Sequence, residues 1–275
     1  MIFANWKGRK CLIAVLCTAG AYLLAPSFLV GSTPSLREVQ QMLEELDRAR
    51  LDAARNKSKR TAFTPRYINM RLAAIGAVVN GALESTFSAT RRPNCEALQE
   101  ELRSALGRGR PDPNLASILC LWRAQADYVV GYDLTEGPVY SRSWIGIFGP
   151  SAHDGRYRMV ASEQDTLPDK TIALALLPRD GHGELRFLAY GINWGDAHNR
   201  LTAIAYVLND RILRPIWSRT QLPEGQLRVQ GGTIQISFLS SALGPGYGGV
   251  RSVAETYRVT PTGIKLENRT ERPSR

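Results

Sequence analysis

The sequence predicts an α+β fold in which a membrane segment leads into about four helices, packed on a C-terminal antiparallel meander sheet. Three observations predict it. An uncharged run lies near the N-terminus, apolar residues recur at helical spacing up to about Ala126, and short apolar runs alternate with turn residues after Asp127. Hydrophobic residues make up 44% and charged residues 22%, which excludes a disordered chain, because enough apolar surface is present to offset the entropy of folding. Three regions follow: 1–31 as signal anchor or signal peptide, 32–126 as a helical region, and 127–275 as a β-rich region packed with 32–126 as one unit.

The stretch Met1–Lys10 is basic, and Cys11–Gly31 follows with 21 residues that lack any charge. At about 1.5 Å per residue such a helix spans a ~30 Å hydrocarbon core. Positive charge before the run favours a cytoplasmic N-terminus, so the body is expected outside the cytoplasm. The chain is then single-pass. The alternative is a secreted or periplasmic protein after cleavage, since Ala19-Gly20-Ala21 and Ser32 both offer small residues to a signal peptidase.

Ser35 followed by Glu38 forms a capping-box pattern, and Leu36, Val39, Leu43 and Leu46 continue an apolar stripe to about Arg55. A polar loop is expected at Asn56–Arg60. Thr64 and Pro65 then read as an N-cap and first-turn proline for a helix to about Phe87, carrying Ile68, Leu72, Ile75, Val79 and Leu83. Asn94 caps a third helix that Gly107 stops, and Leu115 to about Ala126 is expected as a fourth.

Strands are expected near 139–148, 157–162, 171–177, 185–192, 201–208, 212–219, 226–229, 233–239, 252–259 and 264–267. Asn209-Asp210, Gly231-Gly232 and Pro261-Thr262-Gly263 supply the residues that tight hairpin turns accept. Sequential pairing predicts one meander, closed as a sandwich or partly closed barrel, with helices on one side. The apolar run Thr171–Leu177 is expected at its centre, covered on both faces. Asp154-Gly155-Arg156-Tyr157-Arg158 looks like the turn and strand of a propeller blade, but a ring takes about four or more blades and 139–268 supplies only about three. A propeller is therefore set aside.

The formal charge is +10, with 35 basic and 25 acidic residues. By segment the excess is 3 − 0 = +3 over 1–31, 15 − 10 = +5 over 32–126 and 17 − 15 = +2 over 127–275. The stretch Ala53–Leu83 contains Arg55, Lys57, Lys59, Arg60, Arg66 and Arg71 with no carboxylate, and Phe63 and Tyr67 interleave with them. Arg55, Lys57, Lys59 and Arg60 are accordingly candidate contacts to an anionic surface or an envelope protein. An exported body disfavours nucleic acid. Cys95 and Cys120 are the only cysteines of the body and a candidate disulfide in an oxidising compartment.

The richest loop is Asn193–Arg200, which gathers Trp194, Asp196, His198 and Arg200. Asp196 and His198 are candidates for an acid/base pair, and Trp194 and Arg200 for binding. A structural turn with Trp194 packed over a sheet edge explains the same residues. His153 and His182 also fall in expected turns. No GxSxG elbow, P-loop, HExxH or CxxC pattern is present, so no cofactor and no metal site is expected. The leading expectation is a membrane-anchored binding or envelope-assembly accessory protein, and the alternative is a hydrolase using the Asn193–Arg200 loop.

Overall fold

Ser35 accepts the Glu38 backbone N–H and starts the first helix, α1 (Leu36–Arg55), whose residues Leu36, Val39, Leu43 and Leu46 are buried on one face. The computed structural model describes residues 34–89, 94–107, 116–120, 128–136, 140–165, 172–194, 199–241 and 249–273. The expected segment Cys11–Gly31 lies outside the described residues.

Asn56 ends α1 and turns the chain into α2 (Lys57–Arg60), a single turn where the sequence suggests a loop. The Asn56 side chain accepts the Ser58 N–H at 3.0 Å, so one residue closes one helix and opens the next. As expected, Thr64 caps α3 (Pro65–Ala89) through the Tyr67 N–H at 3.2 Å, and Asn94 caps α4 (Cys95–Gly107) through the Ala97 N–H at 3.2 Å. Among the described helices, α3 is the one long and apolar enough to cross a membrane, and its residues Leu72, Ile75, Val79 and Phe87 are fully buried in the core.

The fourth expected helix is corrected. Ala116–Cys120 is a strand, β1, paired antiparallel with β2 (Tyr128–Glu136). Every residue of β2 is buried, so a helix at this position would leave the backbone groups of its edge without partners. β2 itself escapes the sequence patterning because burial on both faces erases alternation.

With β3 (Tyr140–Pro150) and β4 (Tyr157–Gln164) these strands form sheet A, in the order β1-β2-β3-β4. Sheet B is β5 (Ala173–Leu177), β6 (Leu185–Trp194), β7 (Asn199–Asn209) and β8 (Ile212–Pro223). Sheet C is β9 (Gln226–Gln230), β10 (Thr233–Ser241), β11 (Val250–Thr260) and β12 (Gly263–Pro273). Among the described residues the expected single meander is therefore three separate open sheets, each four-stranded and antiparallel. These are the units from which propeller blades are made, present three times.

The sheets stack as layers. Tyr128, Val130, Tyr132, Trp144 and Phe148 of sheet A pack with α1, α3 and α4, while Val129, Ile145 and Ile147 turn the other way and meet Phe187, Ile204 and Tyr206 of sheet B. The opposite face of sheet B, with Leu188, Leu201, Ala203 and Ala205, meets Ile234, Ile236, Val253 and Tyr257 of sheet C. Truncating a fully buried aliphatic such as Leu188 to alanine would cost about 2–5 kcal/mol. Gly131 permits the close contact of sheets A and B, since a Cβ there would fall 2.8 Å from Ile172 Cδ1.

The run 171–177 is also corrected in part. β5 is an edge strand, and Leu176 is half exposed. Its apolar character has another cause: sheet B is the middle layer, so Leu174 faces sheet A while Leu177 faces sheet C. The hairpin at Gly231-Gly232 forms with φ of 56° and 78°, a geometry that glycine adopts without steric cost, whereas the turn expected at Asn209-Asp210 falls one residue later, at Asp210-Arg211, because Asn209 is still paired in β7.

Candidate functional site

The cationic end of the helical layer is built by the α1–α2–α3 junction. Because α2 is a single turn standing off the core, Lys57, Ser58, Lys59 and Arg60 are all exposed, as are Arg55 and Arg66. Lys59 Nζ lies 2.8 Å from Asp52 Oδ2, and this ammonium holds the Asp52 carboxyl below the usual carboxylate range. Arg71 is likewise taken by Glu45 at 2.7 Å. Arg55, Lys57, Arg60 and Arg66 have no ion-pair partner among the described residues, so four of the six cations in this stretch remain open. Beside them, the rings of Phe63 and Tyr67 meet at 5.8 Å and border a cleft of about 250 Å³ with Ala49, Asp52, Lys59 and Ala62.

Asp196 and His198 lie outside the described residues. Trp194 ends β6 and Arg200 is the second residue of β7, paired across the ladder with Asn199 and Asn193 respectively. Arg200 is exposed, and its Nη1 donates to Gln221 Oε1 at 3.4 Å. His153 and His182 are both exposed and occupy different turns, β3–β4 and β5–β6. His182 borders a cleft of about 300 Å³ with Glu184, Asn209 and Asp210 that does not include His153. Cys95 is half-buried and disulfide-bonded, and its helix α4 packs on β1, the strand that carries Cys120.

Three arrangements were not legible in the sequence. In the β5–β6 turn, Asp180 Oδ1 accepts the N–H groups of His182 at 2.9 Å and Glu184 at 2.8 Å. Desolvation pushes Asp180 up, but these donors outweigh it and its pKa falls. Glu184 is pushed up by desolvation and by the neighbouring Asp180. The second arrangement is a cleft of about 180 Å³ between α3 and sheet A, under the Arg142–Asp165 ion pair at 2.8 Å. There Tyr132 donates to Asn80 Oδ1 at 2.8 Å, and burial pushes the Tyr132 hydroxyl pKa up.

The third arrangement is in sheet C, where Glu255 is a buried carboxylate, 2% exposed, held by Arg219, Arg269 and the Tyr257 hydroxyl. Desolvation and the Glu255 hydrogen bond push Tyr257 up to about 12. A period-2 pattern would have placed Glu255 inward with Val253 and Tyr257, but only its partners from other strands make that placement stable.

No family model matches the chain, and no curated protein matches it. Among solved structures the chain is similar to a variant of an α-L-arabinofuranosidase from Fusarium graminearum in complex with an iminosugar inhibitor. Identity is 12% and the TM-score 0.32, over 57% of this chain and 47% of that one. The chain thus spans about half the length of that enzyme.

Proposed function

We propose that the protein is an extracytoplasmic, membrane-held binding protein, an envelope accessory or assembly subunit, that engages anionic surfaces through the cationic end of its helical layer. The observation that carries this reading is the set of four open cations, Arg55, Lys57, Arg60 and Arg66, on a junction whose exposed acid Asp52 is already paired with Lys59. Leu51 and Met70 support it. Each is about half exposed and stands one helical turn from Arg55 or Arg66 on the same face, placing apolar side chains beside the charges. The uncharged run Cys11–Gly31 supplies the tether, and the disulfide on Cys95, whose partner we take to be Cys120, belongs to the same oxidising compartment.

The full-length protein, held in neutral nanodiscs, is expected to capture vesicles that contain phosphatidylglycerol and to ignore phosphatidylcholine vesicles. Each cation near an anionic surface contributes ~1 kcal/mol, so reversal of all four to glutamate should abolish capture. Lys59→Glu should matter less than Arg60→Glu, because Lys59 is already neutralised by Asp52. Undiminished capture by the four-fold variant refutes the reading.

A further inference from the structure

Sheet C ends the stack, and its two faces differ in charge. Glu255 and Glu271 share the inward side with Val253, and both are paired: Glu255 with Arg219 and Arg269, Glu271 with Arg251 and Arg269. The outward side retains the surplus. On it stand Arg228, Lys265 and Arg272, none with an ion-pair partner among the described residues. Arg258 there is taken by Glu267 at 2.7 Å.

The register aligns the outward side chains into rows. Arg228, Gln235, Thr256 and Asn268 lie directly opposite one another across all four strands. At ~4.8 Å between strands this row is about 14 Å long. Gln226 and Ser237 stand opposite each other in the next row. A cleft of about 400 Å³ runs over both rows, bordered by Gln226, Arg228, Gln235, Ser237 and Thr256. None of these five side chains has a hydrogen-bond partner among the described residues, so amide, hydroxyl and guanidinium groups all face outward unsatisfied by the protein.

We infer that this face binds an acidic polysaccharide, with chain hydroxyls on Gln226, Gln235, Ser237 and Thr256 and its anionic groups on Arg228, Lys265 and Arg272. The chemistry selects this class in three ways. Neutral sugars are held largely by stacking on aromatic rings, and neither row carries one. A peptide adds to a sheet along the open backbone of an edge strand, whereas this cleft lies over the side chains of the sheet's face. Guanidinium recognises carboxylate and phosphate in two-point geometry, which suits uronates and phosphodiester-linked glycans. The inference rests on the extracytoplasmic placement proposed above, because that compartment removes nucleic acid as the competing polyanion.

Calorimetric titration of full-length protein in neutral nanodiscs tests it, with alginate oligomers as the acidic probe, dextran as the neutral one and a single-stranded DNA oligomer as the unrelated polyanion. Alginate should bind, more weakly as salt rises, and dextran should not. Arg228→Glu should lower alginate affinity about tenfold to a hundredfold, as loss of a charged hydrogen bond does. Arg228→Gln should fall between, and Arg214→Glu, an exposed change on β8 of sheet B, should have no effect. Absence of alginate binding, equal binding of DNA, or equal losses in the Arg214 and Arg228 variants overturns the assignment. Vesicle capture is read separately, so failure here leaves the anionic-surface reading standing or falling on its own test.

Discussion

Arg219 Nη2 lies 2.7 Å and 2.8 Å from the two carboxylate oxygens of Glu255, so a guanidinium from the edge strand of sheet B closes on a carboxylate buried in sheet C. The Arg219 guanidinium also stands 5.5 Å from the centre of the Phe238 ring, and the Tyr257 hydroxyl donates to the same carboxylate at 2.7 Å. Glu255→Ala should therefore cost more than an ordinary surface pair. Breaking a buried pair costs about 3–5 kcal/mol, and the partial exposure of Arg219 reduces the expectation to about 1–3 kcal/mol. Urea unfolding of Glu255→Ala and of the double variant Arg219→Met/Glu255→Leu decides it. The double variant should recover most of the loss, and a single variant as stable as wild type would show that the pair does not join the sheets.

A second junction of the same two sheets uses no carboxylate. Arg186 of β6 is buried and donates from Nη1 to the Thr260 carbonyl at 2.7 Å and from Nη2 to the Pro261 carbonyl at 2.8 Å. Arg186→Met leaves those carbonyls without their charged donors and should destabilise by about 2–4 kcal/mol. Hydrogen exchange should accelerate first in the β11–β12 turn. Exchange that rises uniformly over the chain would contradict a local clamp.

The β7–β8 turn holds Asp210 at φ 48° and Arg211 at φ 64°, left-handed conformations that cost residues with a Cβ. Arg211 is exposed. Arg211→Gly should thus stabilise by about 0.5–1 kcal/mol despite the entropy lost by glycine, because two-residue turns of this hand favour glycine at the second position. A lower midpoint in urea would show that the Arg211 side chain has a role the backbone geometry does not reveal.

Glu184 gives a pH-dependent prediction. Desolvation and Asp180 raise its pKa in the folded protein above 4.5, so the folded state holds this proton more tightly than the unfolded chain. Stability is therefore lost as pH rises through the folded pKa, and the loss is absent below the unfolded value. Glu184→Gln keeps an acceptor for Asn209 and removes the titration. The variant should match wild type near pH 4 and exceed it at pH 7 in thermal melts, and the reverse order would refute the sign.

Local chemistry was legible residue by residue. Ser35, Thr64 and Asn94 act as the caps their side chains suggest, since a cap needs only an oxygen and the N–H groups a turn away. Gly231-Gly232 makes its turn for the same reason: the conformation depends on the residues themselves. The open cations of the helical end were half legible. The carboxylate-free run was visible in the sequence, but the capture of Lys59 by Asp52, seven positions away, depends on where α2 turns.

What the sequence by itself determined is thus the helices α1, α3 and α4, the Gly231-Gly232 turn and the surplus of cations, all properties of neighbouring residues. Only the tertiary structure decided that Ala116–Cys120 pairs as a strand, that the strands divide into three stacked sheets, and that β5 can be apolar at an edge. It also decided which face of sheet C keeps its charges unpaired. The reason is physical: burial and strand register are set by segments distant in the chain. A strand covered on both faces, as β2 is, loses the alternation by which sequence announces it.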